Sequence, residues 1–476
     1  MNISKPWRSF VVGGAVGGMS WRDMGTVAYW RYLLLLNIGV QLPFWIAKSF
    51  YSFQRPVFNE DLAIALLGFA VSSWLGWILL GIALVVDVLR IASLNYHFLN
   101  LADFVESVRF VHLLNLWGMI RWEAVLGVGL AIGFLTLLAL SLRRLRPMMF
   151  WGQLALLMLM GLVDALNGSM RLGGGGLDRF HFPVNVAGSP IWNLYRVQMA
   201  TEDAASEPLR PVNSAVNESI RRWHAANPDG SVMLVLVESM GQPVSPVVRT
   251  WLGNQLQSPG VSNRWRFQQG SEPFQGSTTH GELRVLCALD GPYGKVTAAQ
   301  APECLPGQLA KDGVVSAGFH GFQLSMFDRD RWWKALGLRP HAFDYHHAGS
   351  AVRDCHDVFH GICDREVLRQ AAIETRQPRR LAYVVTLDTH LPLPSSAKNM
   401  SSDAAAMCER ERLSESACEL VAQLGRLMND LRDEVSSQEN TPFVAVVGDH
   451  APPFLTEESR SAFDSREVPY FLLEPR

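Results

Sequence analysis

The stretch Phe443-Val444-Ala445-Val446-Val447-Gly448-Asp449-His450 carries an apolar run through a glycine into a carboxylate and an imidazole. The run is short, valine-rich and non-alternating, as in a strand buried on both faces of a sheet. Three other runs end in a similar way. Val232–Val237 leads into Glu238, residues 314–319 into His320, and residues 381–387 into Asp388 and His390. Helical stretches at 328–336, 364–376 and 414–436 alternate with these runs. That alternation predicts an α/β domain over 230–476 with helices on the faces of a central, mostly parallel sheet. Ligands of parallel sheets bind outside the carboxyl ends of the strands. Four strands then deliver Glu, His, Asp and His to one rim. Asp449 and His450 alone would fit a solvated turn, and Glu238 an exposed strand end. Together, Glu238, Asp449 and His450 make a mixed N/O set suited to one divalent metal, Zn²⁺ or Mn²⁺.

A second segment supplies a reacting group for that rim. In Gln275-Gly276-Ser277-Thr278-Thr279-His280-Gly281-Glu282 a glycine-serine turn feeds two threonines into a helix start. A threonine hydroxyl beside a divalent cation has a lowered pKa and becomes a usable nucleophile. The helix N-terminus favours an anion at the same spot. The segment also fits a plain capping box, with a Ser/Thr cap closed by Glu282.

The whole chain has 476 residues, a formal net charge of −2 and a pI near 6.7. It shows no bulk basicity, so nucleic acid is not an expected partner. Residues 1–168 differ in composition from the rest. Runs at 33–47, 62–86, 124–142 and 148–163 approach the roughly 18–20 apolar residues that span a bilayer, and predict a multi-span membrane domain. Residues 94–117 mix apolar Phe98, Leu101, Val105 and Val108 with Asp103, Glu106, Arg109 and His112, suggesting an amphipathic helix lying in the interface. Arg143, Arg144 and Arg146 mark a cytoplasmic loop by the positive-inside rule, placing everything after residue 168 outside the cell membrane. Four spans also put Lys5, Arg8 and Arg22 outside, so a fifth or re-entrant segment near 10–19 stays open. Residues 169–229 read as a linker: Gly173 to Gly176 lie in a connector, and 191–226 form tethering helices broken by Pro208 and Pro211. All six cysteines follow residue 168, an even count that reads as disulfides in an oxidising compartment. Proximity favours Cys287–Cys304, Cys355–Cys363 and Cys408–Cys418, one of fifteen connectivities.

Glu238 after a first strand, Thr278 in a Gly-x-Thr turn followed by Glu282, and a late Gly448-Asp449-His450 resemble the membrane phosphotransferases of the alkaline phosphatase/sulfatase superfamily. These are the lipoteichoic acid synthases and the phosphoglycerol and phosphoethanolamine transferases. The segments Phe319-His320-Gly321 and Phe327-Asp328-Arg329-Asp330 look most like the lipoteichoic acid synthases. The resemblance covers about residue 231 to the end. It implies Glu238, Thr278, Asp449 and His450 as metal ligands, Thr278 as nucleophile, and His320, Arg329 and His390 as substrate-binding residues. The chain departs from the pattern at Phe327, where those synthases carry Trp, and at His280, where Asp or Asn is common. Formylglycine sulfatases need Cys/Ser-x-Pro-x-Arg; Cys304-Leu305-Pro306-Gly307-Gln308 lacks the Arg.

The activity so implied moves a phosphoglycerol or phosphoethanolamine head group from a membrane phospholipid donor to a glycan or glycolipid acceptor through a phosphothreonine. Envelope polysaccharide assembly machinery is a possible further partner, and the site would be the outer face of a bacterial cytoplasmic (inner) membrane, in the periplasm. The alternatives are a sulfatase-like phosphodiesterase that uses water and a non-catalytic membrane regulator that keeps the fold.

Overall fold

The computed structural model describes residues 26–50, 55–95, 109–115, 122–142, 146–166, 186–193, 195, 209–274, 276–342 and 355–476. The expectations for 10–19, Lys5, Arg8, Arg22, Arg143, Arg144, residues 173–176, Gln275 and most of 94–117 lie outside them. The chain divides into two compact units, residues 1–97 with 120–201, and residues 98–119 with 202–476.

The first unit contains the helices α1 (Val27–Phe50), α2 (Glu60–Val71), α3 (Ser73–Asn95), α4 (Trp122–Leu142) and α5 (Arg146–Leu166). Among the described residues no helix is long and apolar enough to cross a membrane. This overturns the inner-membrane localisation, and no membrane-spanning domain is seen among the described residues. One of the apolar runs counted in the sequence is interrupted in three dimensions. The run at 62–86 is two helices, separated at Ser72, whose backbone is extended. At about 1.5 Å per residue, the 12-residue α2 is roughly 18 Å long, short of a hydrocarbon core of about 30 Å. The run at 33–47 lies in α1, which contains Pro43 and buries Asn37 and Gln41. Asn37 exchanges side-chain hydrogen bonds with Gln153 of α5 at 2.9 and 3.0 Å, and Arg55 pairs with Asp87 of α3 at 2.7 Å. Along α4, side chains are described only for 126–137.

The second unit is built on a seven-stranded sheet. Its strands are β1 (Val232–Val237), β2 (Trp265–Pro273), β3 (Val315–His320), β4 (Arg339–Ala342), β5 (Arg380–Val385), β6 (Phe443–Gly448) and β7 (Glu467–Pro475), in the order β2-β7-β6-β1-β5-β3-β4. From β6 to β4 every pairing is parallel, while β7 is antiparallel to both β6 and β2. Every residue of β1 and β6 is buried, as the non-alternating runs require. Successive side chains of β1 serve opposite layers. Met233, Val235 and Val237 face a core with Leu252 of α7 (Pro246–Gln255), Leu368 of α10 (Asp364–Glu374) and Leu420, Leu424 and Leu431 of α11 (Glu415–Ser436). Val232, Leu234 and Leu236 face Val216, Ile220 and Trp223 of α6 (Ala215–Ala226), Leu283 of α8 (Thr278–Cys287) and Trp333 of α9 (Arg329–Ala335).

Two segments differ from their expected parts. Helix α6, expected within a tether, is capped by Ser214 and buries an apolar face in the core of this unit. Residues 109–115, expected in an interfacial helix, form a turn and the single 3-10 turn Val111–Leu113, and they pack on the second unit. Disulfides join Cys287 to Cys304, Cys355 to Cys363 and Cys408 to Cys418.

Candidate metal and phosphoryl-transfer site

Strands β1 and β6 lie side by side, with Gly448 opposite Val237, so Glu238 and Asp449 leave the sheet as neighbours. Gly448 is obligatory there, because a Cβ would stand 1.9 Å from the carbonyl oxygen of Met240. The carboxylates are locked from behind. Asp449 Oδ1 accepts from the backbone N–H of Ser239 at 2.8 Å and of His450 at 2.6 Å. Ser239, whose φ of 56° is left-handed, also donates through Oγ to Glu238 Oε1 at 3.1 Å. Thr386 Oγ1 accepts from the Glu238 N–H, and Thr389 Oγ1 donates to the Glu238 carbonyl. Buried Arg284 donates to the carbonyls of Gly448 and Asp449 and pairs with Glu272 at 2.8 Å.

His450 Nδ1 lies 2.9 Å from the Ala451 carbonyl, an atom that can only accept, so Nδ1 carries the proton. Nε2 then faces Asp449 Oδ2 at 3.2 Å, Glu238 Oε1 at 3.4 Å and Thr278 Oγ1 at 3.5 Å. Thr278, the first residue of α8, donates its hydroxyl to Glu238 Oε2 at 2.9 Å. The Thr279 hydroxyl instead pairs with Ser277 Oγ at 3.1 Å. Helix α8 reaches this close because Gly281 faces Asp449, where a Cβ would lie 3.1 Å from its Cα. The capping box does not form. Ser277 makes no side-chain cap, and Glu282 points the other way, to Arg329 Nε at 2.9 Å and Trp333 Nε1 at 2.8 Å.

The electrostatics call for a cation. Burial and the Glu238 charge push the Asp449 carboxyl well above the ordinary range. Burial opposes ionisation of Glu238 too, yet the His390 and His450 rings hold it below that range. His450, despite its burial, is raised to about 9 by Asp449 and Glu238. A proton thus sits where two carboxylates and one imidazole converge, and the buried Asp449 Oδ2 accepts no hydrogen bond. Glu238, Asp449 and His450 offer ligand atoms within 4.8 Å of one another. An N/O set with the imidazole tautomer fixed by a backbone carbonyl fits a divalent metal.

The other expected residues line the same rim. His320 ends β3 opposite Val385, which in turn lies opposite Leu236 of β1. Its Nδ1 donates to the Val385 carbonyl at 2.9 Å, leaving Nε2 to accept from Arg329 Nη1 at 3.4 Å. Burial and the Arg329 charge lower its pKa to about 3. His320 is therefore a neutral residue that orients Arg329, not a second cation. His390 Nε2 lies 4.0 Å from Glu238 Oε1, its ring packs on Phe359, and burial lowers its pKa. Asp388 turns away from the cluster, its Oδ2 accepting from the Asp364 N–H at 3.1 Å. Sequence reasoning missed Ser239, Thr386, Thr389, Glu272 and Arg284, whose only signal was polarity next to buried strands or within an apolar helix.

The description of the family model matching residues 232–476, more than half of the chain, is "Sulfatase". The chain belongs to the sulfatase family. Curated proteins gave no match. Among solved structures, this sulfatase-family chain is similar to the lipoteichoic acid synthase LtaP from Listeria monocytogenes, at 16% identity over 58% of this chain and 71% of that one, with a TM-score of 0.38. It is similar to the Streptococcus pyogenes phosphoglycerol transferase GacH in complex with sn-glycerol-1-phosphate, at 13% identity, covering 56% and 77% with a TM-score of 0.36. The C-terminal periplasmic domain of the phosphoethanolamine transferase EptC from Campylobacter jejuni gives 14% identity, 51% and 78% coverage and a TM-score of 0.27. Cys304, the nearest match to a formylglycine position, is held in a disulfide.

Proposed function

We propose that this chain is a metal-dependent phosphotransferase that moves phosphoglycerol or phosphoethanolamine from a phospholipid donor to a hydroxyl of a glycan or glycolipid through a covalent intermediate on Thr278. One observation carries the reading: the Thr278 hydroxyl, at a helix N-terminus, donates to Glu238 beside the His450 Nε2 and a buried Asp449 oxygen that accepts no hydrogen bond. Glu238, Asp449, His450 and the Thr278 oxygen would hold one Zn²⁺ or Mn²⁺, which when bound neutralises the carboxylates and polarises a phosphoryl oxygen.

This chain's residues account for the rest. Thr278 Oγ1, its proton drawn toward Glu238, attacks the donor phosphorus. The bond to the diacylglycerol oxygen breaks, and that oxygen takes up the proton that Thr278 gave up. The N-terminus of α8 and the Arg329 guanidinium favour the anionic phosphoryl group there. Glu282 and His320 hold Arg329 in direction. His390 is kept neutral by burial, so it can take a proton from the acceptor hydroxyl as that oxygen displaces Thr278.

Intact-protein mass spectrometry after incubating the metal-loaded chain with mixed phospholipids tests this. A phosphoglycerol or phosphoethanolamine mass on the Thr278 peptide, removed on adding an acceptor, is the expected result. An adduct discharged equally fast by water alone makes the protein a hydrolase. Absence of any adduct under turnover rejects the covalent route.

A further inference from the structure

Residues 109–115 lie far in sequence from the rim, yet they touch the segments beside both Arg329 and His390. On one side, Phe327 and Asp328 precede Arg329 with left-handed backbones, at φ 56° and 49°. Neither is glycine, and such a pair persists only where its surroundings over-determine it. Those surroundings include Arg109 and Phe110. Arg109 forms an ion pair with the Asp328 carboxylate and lies 3.2 Å from the Tyr293 hydroxyl. Phe110 is buried, and its ring meets Phe327 edge-on at 5.3 Å. The guanidinium of Arg329 lies 5.3 Å from the Phe327 ring centre. On the far side, the Asn115 N–H donates to the Val358 carbonyl at 2.9 Å, and Leu113 and Leu114 pack on Phe322, Val358, Phe359 and Leu387. Phe359 in turn supports the His390 ring at 4.3 Å.

We propose that residues 109–115 are part of the phosphoryl-group binding site, with Arg109 and Phe110 as positioning residues that set Phe327 and Arg329 toward the head group. This rests on the reading above that Arg329 faces the phosphoryl group. Arg109 and Phe110 touch neither the metal-type cluster nor Thr278, so they act on binding, through Arg329, and not on the bond-making step.

The test uses the full, metal-loaded chain with Arg109→Ala, Phe110→Ala and Arg109→Lys. Binding of glycerol phosphate is measured by calorimetry, and phospholipid-dependent turnover in parallel. The two alanine variants should raise the dissociation constant and KM about five- to tenfold, the worth of one aromatic pair or charged hydrogen bond, with kcat little changed. Arg109→Lys keeps the charge beside Asp328 and should recover most of that loss. Arg109 is half exposed, so its replacement leaves the thermal midpoint close to wild type even if Phe110→Ala lowers it. Unchanged dissociation constants in both alanine variants overturn the proposal, as does a loss confined to kcat. Failure of wild-type protein to bind glycerol phosphate saturably overturns it too. If the variants weaken binding but wild-type Thr278 never takes up a phospho-adduct, the transferase reading falls and the positioning role stands.

Discussion

Thr278 and Thr279 are chemically identical neighbours, and only the direction of each hydroxyl separates them. One peptide further along α8 the side chain swings about 100° around the axis, away from Glu238 and toward Ser277. Thr278→Ala should lower transfer at least about a thousandfold and abolish the adduct, while Glu238, Asp449 and His450 retain some metal. Thr279→Ala should keep substantial activity and lose roughly 0.5–1.5 kcal/mol of stability, read from denaturant unfolding. An adduct that survives Thr278→Ala and disappears in Thr279→Ala would reverse the assignment. Glu238→Ala and Asp449→Ala each remove a proposed anionic ligand that no neighbour replaces. Both should purify without stoichiometric metal in elemental analysis, and full occupancy in either would exclude the proposed ligand set.

At the scale of the element, strand ends and helix starts are held by short polar locks. The turn after β5 is one of them: Asp364, at the start of α10, accepts from the backbone N–H groups of Leu387 and Asp388. Burial, with Asp430 nearby, raises the Asp388 carboxyl to about 7, against about 3.9 in an unfolded chain. Below pH 4 both states hold the proton. Between about pH 4 and pH 7 the unfolded state releases it first, so stability present in acid is lost as pH rises through the folded value. The loss is on the order of 2–4 kcal/mol, and Asp388→Asn should flatten it in a series of denaturant unfolding curves across that window. A slope unchanged by the substitution would show that another group titrates there. The junction of β6 with the site is equally constrained. Gly448→Ala drives a methyl into the Met240 carbonyl and should cost about 1–3 kcal/mol in melting experiments and weaken metal binding with it.

For the whole molecule, the second unit joins a sheet buried on both faces to three local disulfides. The Cys287–Cys304 bridge ties the end of α8 to a segment 17 residues on. Loss of this bridge by Cys287→Ser with Cys304→Ser should cost roughly 2–3 kcal/mol in the chain-entropy picture. Thiol titration of denatured, unreduced protein should find no free thiol before reduction and six after it. Six thiols without reductant would contradict the three bridges.

The sequence by itself determined what depends on period and adjacency. Non-alternating runs identified β1, β3, β5 and β6, and the residues just past their ends identified the rim, because a parallel sheet carries all of its strand ends to one side. Strands β2, β4 and β7 escaped notice: β2 is polar and edge-placed, β4 is a four-residue edge strand, and β7 is interrupted by Pro469. Close spacing of the cysteines suggested the pairs that the structure joins. Tertiary structure decided everything that depends on what a segment meets. The run at 62–86 looked continuous by composition, but backbone geometry breaks it at Ser72, and buried polar pairs such as Asn37 with Gln153 occupy faces that hydropathy had counted as apolar. Residues 109–115 had the charge pattern of an interfacial helix, yet Asp328 and Phe327 draw Arg109 and Phe110 onto the second unit. The directions of the two threonine hydroxyls and the hydrogen bonds of His320 arise in the same way. A side chain's direction and protonation follow from its neighbours in space, which its neighbours in sequence do not specify.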